Sequence, residues 1–224
     1  MILQWDHQCI EQALPILWEL FAREERQERL PRLREIHEHA ELYWRKYVEQ
    51  FGDRCVEYLL IAEAPPWSQY GEDIQYVLDP SSRSRTLMSA LRKAFPTAYE
   101  LPADKALAEF ARLGILIVDS IPFSMKYTSS KRRSGKYQQL VTVTAIAVQE
   151  ALRSSSLKWS PDLRIAFSVK LNAHAVIRAL GGRLDLNGAV FDLSENLIAV
   201  TGAGYPDAEK LRALFRGKVE LSPR

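Results

Sequence analysis

The sequence predicts an α/β domain, layered helix–sheet–helix (αβα, three layers) around a central, mostly parallel sheet of four or five strands. Three observations lead there. Short apolar runs of β-branched and aliphatic residues recur at 56–62, 114–119, 163–168 and 197–201, as strands buried on both faces require. Helical periods separate them, over 83–95, 104–112, 138–152, 172–180 and 206–215, and that alternation implies parallel crossovers. Each strand also empties into a loop rich in Pro, Gly, Ser or aromatics, where ligands bind in parallel sheets.

Taken in order, the first elements are helices. Ile10, Leu14, Leu17, Trp18 and Phe21 recur at helical spacing, and the charged stretch 23–29 then reads as a solvated connection. Pro31 is suited to opening the next helix, whose apolar stripe is Leu33, Ile36, Ala40, Tyr43, Tyr47 and Phe51, ended by Gly52. The strand–helix alternation begins after Gly52. One domain over residues 1–224 is therefore expected, with a helical extension at 1–52 and a core at 56–216.

The totals exclude several classes. With 224 residues, 47% hydrophobic and 26% charged, the chain can bury a core without staples. Cys9 and Cys55 are its only cysteines and form no CxxC pair, so no metal centre or cofactor is expected and a reducing compartment, the cytoplasm, is. The start Met1-Ile2-Leu3-Gln4-Trp5-Asp6-His7 lacks the pattern of a signal peptide, and no apolar run reaches about 18 residues, so no membrane partner is expected. A net charge of +2 argues for no polyanion by itself. Gly202-Ala203-Gly204 precedes a helix, but Asp207 stands where a dinucleotide fingerprint needs its third glycine. His37 and His39 face apart on their helix, and His174 reads as structural.

The candidate site residues stand at strand ends. Glu63 follows its strand directly; it suits a general base or an electrostatic stabiliser of a cationic transition state, and equally a capping residue before Pro65-Pro66. Trp67, Tyr70 and Tyr76 suit stacking on a planar ligand, or packing of the rim. Asp119 ends four apolar strand residues, where an unpaired charge is costly; loop N–H groups or a ligand's donors must meet it. Lys126, Lys131, Arg132, Arg133 and Lys136 crowd one loop, a pattern suited to phosphates or simply to solvent.

In order and spacing, these segments resemble the uracil-DNA glycosylase superfamily over residues 56–215. Ala62-Glu63-Ala64-Pro65-Pro66 is similar to the family's Gly-Glu-Ala-Pro-Gly motif. Ile115-Leu116-Ile117-Val118-Asp119 looks like the strand ending in the base-reading Asn, and Arg164-Ile165-Ala166-Phe167-Ser168-Val169-Lys170 like the third core strand. Ala199-Val200-Thr201-Gly202-Ala203-Gly204-Tyr205-Pro206-Asp207 takes the place of the strand leading to His-Pro-Ser. The resemblance implies a DNA repair enzyme that hydrolyses the N-glycosidic bond of a damaged or modified base, with DNA as partner. Glu63 and Tyr205 would be catalytic, Trp67, Tyr76 and Asp119 would bind the base, and the basic loop would hold phosphates. The departures redirect it. Tyr205 replaces a histidine, Asp119 replaces the amide and favours an amino-bearing edge over uracil, and Glu209 and Lys210 stand where the family inserts a wedge. The family's iron–sulfur cysteines are missing. Two other readings fit the same residues: an inactive member that binds nucleic acid or a nucleotide, and a partner-binding protein using the N-terminal helices.

Overall fold

A computed structural model describes residues 3–21, 26–82, 86–124, 126–193 and 207–215. Its sheet is built on β1 (Cys55–Ala62), which pairs in parallel with β2 (Ile115–Asp119) on one side and β3 (Lys158–Phe167) on the other. The order is β2-β1-β3, so β1 is central. Successive residues of β1 and β2 are buried, which means both faces of the sheet are covered and explains their unbroken apolar runs. Gly114 enters β2 at φ +75°, and a Cβ there would lie 2.9 Å from the Cys55 carbonyl oxygen, so only glycine fits the approach of the two strands.

The described parallel sheet has three strands, not four or five; the expected strand at 197–201 lies outside the described residues. β3 is longer than the 163–168 expected, because Lys158 and Trp159 also pair with Cys55 and Val56, on the far side of an irregularity that carries Pro161. Residues 183–192, read as no element, form an antiparallel hairpin of β4 (Arg183–Leu186) and β5 (Ala189–Asp192). Its turn residues Asn187 and Gly188 both have positive φ, the conformation that a tight two-residue hairpin demands.

The helices in chain order are α1 (Gln8–Glu19), α2 (Arg26–Glu49), α3 (Thr86–Ala94), α4 (Pro96–Tyr99), α5 (Ala103–Arg112), α6 (Ser129–Arg132), α7 (Gly135–Arg153), α8 (Lys170–Ala179) and α9 (Ala208–Phe215). α1 packs on α7, α7 on α8, α5 on β2, and α3 on α9. The charged stretch at 23–29 is not all connection: α2 already runs from Arg26, with Pro31 inside it rather than at its start. Its Arg, Gln, Glu and Leu residues are strong helix formers, which extends the helix ahead of the proline. α2 is tied to the sheet. Trp44 Nε1 donates to the Ile117 carbonyl at 3.0 Å, and the Tyr47 hydroxyl donates to that of Ile115. Those carbonyls lie on the side of β2 away from β1, so α2 satisfies the exposed edge of the sheet. Trp44, rather than Tyr43, belongs to the buried stripe.

Candidate functional site

The carboxyl ends of the strands meet at one rim. Asp119, the last residue of β2, is the register partner of Ala62, and Glu63 is the next residue after β1. The ladder runs on into the loops, with Ser120 N donating to Ala62 O and Ile121 N to Glu63 O, both at 2.9 Å. Ser168 N does the same for Ile61 O after β3. Both carboxyls are therefore carried on backbone fixed by the sheet. Each is buried, Glu63 at 8% and Asp119 at 3% exposure.

Glu63 is gripped by two side chains distant in sequence. Arg132, in α6, forks it: Nε donates to Oε1 at 2.7 Å and Nη2 donates to Oε2. Tyr137, in the first turn of α7, donates its hydroxyl to Oε1 at 2.6 Å. The phenol is oriented in turn by Asn172 of α8, fully buried, whose Nδ2 lies 3.1 Å from the Tyr137 oxygen and 2.9 Å from Ser120 Oγ. Ser120 Oγ is 3.2 Å from the Glu63 carbonyl oxygen, so the network closes on the residue it supports. Local capping places these groups: Thr128 caps α6 and Ser134 caps α7, accepting from Tyr137 N. Burial, then Glu63, raises the Tyr137 pKa, while the bond to Glu63 raises that of Arg132.

Asp119 has a different environment. Its Oδ2 accepts from the Tyr76 hydroxyl at 3.2 Å, and burial, with a smaller push from Glu63, raises its pKa to about 6. Glu63 thus faces a cation and a phenol, whereas Asp119 faces a phenol alone among the hydrogen bonds described.

No family model, curated protein or solved structure matches this chain. The site is read from its own chemistry.

Of the other candidate residues, Tyr76 is 1% exposed, so its ring is enclosed by the core while its hydroxyl meets Asp119. Trp67 is half-buried with the Arg29 guanidinium 5.4 Å from its ring centre, and Tyr70 is exposed. The basic loop divides. Arg132 turns inward to Glu63, Lys136 pairs with Glu19 at 2.6 Å, and Lys131 lies 3.6 Å over the Phe21 ring. Lys126 and Arg133 are exposed. Tyr205 lies outside the described residues; Asp207 caps α9, its carboxylate accepting from Glu209 N at 2.8 Å, and Glu209 and Lys210 are exposed. His174 is exposed on α8, whereas His37 is buried with Nδ1 3.1 Å from the Pro122 carbonyl and His39 pairs with Asp79 at 2.9 Å. Among the described residues no group of three or more His, Cys, Asp or Glu is placed to hold a metal ion, and no helix is long and apolar enough to cross a membrane.

Sequence reasoning missed Tyr137, Asn172 and Ser120, and gave Arg132 only an outward role. A signal existed for Asn172, an amide on the apolar side of a helix that directly follows a strand, since a buried amide demands partners. Tyr137 offered none, being one aromatic among many in a helical stripe.

Proposed function

We propose that this chain hydrolyses the N-glycosidic bond of a modified base in nucleic acid. The observation that carries the reading is the pair of buried acids at the carboxyl ends of adjacent parallel strands, Glu63 and Asp119, held by unlike partners. Glu63 supplies negative charge beside the sugar as it turns oxocarbenium-like, or orients the attacking water. Asp119 reads the base: ionised, it only accepts hydrogen bonds and selects an amino-bearing edge. Trp67, half-buried near this rim in sequence, is the stacking aromatic, and Tyr76 supports Asp119 through its hydroxyl. Tyr205 is assigned to helping the base depart, and Lys126 and Arg133 to phosphates. The test is incubation with oligonucleotides carrying a panel of modified bases, single- and double-stranded, scoring abasic sites by alkaline cleavage. At least one amino-bearing base should be excised; no abasic site on any substrate would remove the hydrolase reading.

A second reading, binding of nucleic acid or a nucleotide without hydrolysis, is favoured by one observation: both oxygens of Glu63 are already engaged by Arg132 and Tyr137. In the same assay it gives retention of a labelled oligonucleotide with no loss of base.

A further inference from the structure

We propose that the Arg132 guanidinium is a phosphate site which Glu63 fills in the free protein, and that a backbone phosphate of bound nucleic acid displaces Glu63 from it. The inference deepens the hydrolase reading and rests on it for the choice of nucleic acid as ligand. A guanidinium fork matches a carboxylate and a phosphate equally well, so the two compete for the same N–H groups. Here Nε and Nη2 are both committed to Glu63.

The two partners are unequally placed. The Arg132 side chain is 20% exposed and that of Glu63 10%, so the cation is the member that solvent and ligand reach more readily. It ends a four-residue helix and is followed directly by exposed Arg133, so a polyanion drawn to this loop arrives beside it. Glu63 is not abandoned when Arg132 turns away. Tyr137 still donates at 2.6 Å, and Asn172 and Ser120 hold that phenol and the Glu63 backbone in place. Exchange thus costs Glu63 its counter-ion but not its position. Its charge becomes uncompensated only when a phosphate occupies the guanidinium, so ligands without a phosphate leave the pair closed.

The experiment is a competition read by affinity, not turnover. Inorganic phosphate and a single-stranded 12-mer are titrated separately into wild type, Glu63→Gln, Arg132→Gln and the double variant, each checked for fold by circular dichroism. Removing the internal competitor should tighten oligonucleotide binding by at least about fivefold, the low end for coupled ligands. Arg132→Gln should abolish the gain. A gain for inorganic phosphate alone supports the anion site and overturns its assignment to a nucleic-acid backbone. Unchanged or weaker binding of both probes by folded Glu63→Gln overturns the proposal. Should Glu63→Gln not fold, the Arg132 Nε–H resonance of the wild type decides: it must shift as the 12-mer binds, and a resonance that stays fixed at saturation overturns the proposal. Base release plays no part in this readout, so tighter binding by Glu63→Gln keeps the phosphate site even where the wild type excises no base and the hydrolase is discarded.

Discussion

Tyr137→Phe isolates the central polar network. The ring is fully buried and the substitution keeps its volume, so packing is preserved and only the hydroxyl is lost. That hydroxyl donates to a carboxylate at 2.6 Å and accepts from Asn172 at 3.1 Å. Asn172 Nδ2 keeps Ser120 at 2.9 Å with one of its two N–H groups and loses the acceptor of the other, a smaller neutral contribution, while Glu63 keeps Arg132. What remains is one hydrogen bond to a charged group, worth about 1.5–3 kcal/mol. For a chain of this size that lowers Tm by roughly 3–12 °C. Tyr127→Phe is the internal control: its hydroxyl donates to the Phe123 carbonyl at 3.2 Å, a neutral bond worth about 0.5–1.5 kcal/mol. Urea titration of both variants, with m unchanged, gives the two losses directly. If Tyr137→Phe costs no more than Tyr127→Phe, the bond to Glu63 is not formed as described.

Asp119 gives a pH dependence with a definite sign. An acid whose pKa rises from 3.8 to about 6 binds its proton more tightly folded than unfolded, so stability is lost as pH climbs from about 4 to about 6. At 1.36 kcal/mol per unit, Asp119→Asn should gain about 3 kcal/mol relative to wild type between pH 4 and pH 7. A difference constant across that range would show that burial does not perturb Asp119. Gly114→Ala forces a side chain into φ +75° and toward the Cys55 carbonyl at 2.9 Å; a loss of about 1–3 kcal/mol is expected in denaturation, and a change within about 0.5 would refute the close approach of β1 and β2. For any nucleic acid bound, neutralising exposed Lys126 and Arg133 together should flatten the log–log salt dependence by about 1.4 on single strands, and an unchanged slope would leave this loop merely solvated.

How much could be read beforehand depended on whether the cause was local. β1 and β2 were plain in the sequence because strands buried on both faces write themselves as continuous apolar runs, and the positions of Glu63 and Asp119 at their ends followed. The hairpin at 183–192 has a local signal only in Asn187-Gly188, because its strands are short and only half-buried and so carry no apolar run. The start of α2 lies ahead of Pro31 because the helix formers at 26–30 outweigh the stop signal a proline carries. The Arg132–Glu63 pair was of another kind. Its members are 69 residues apart, and nothing in a basic loop says which of its cations turns inward. That choice is made by α6 and α7 delivering Arg132 and Tyr137 to the end of β1, a tertiary fact without a sequence period.

The central claim, that Glu63 drives cleavage of an N-glycosidic bond, is met most directly by single-turnover kinetics. Free base released from the best oligonucleotide of the panel would be quantified by chromatography for wild type and for Glu63→Gln, with enzyme in excess. The expected result is a rate of release lowered by about 10²–10³ in Glu63→Gln, the scale of losing one preorganised electrostatic group, with the oligonucleotide still bound. Release by Glu63→Gln at the wild-type rate would contradict the account.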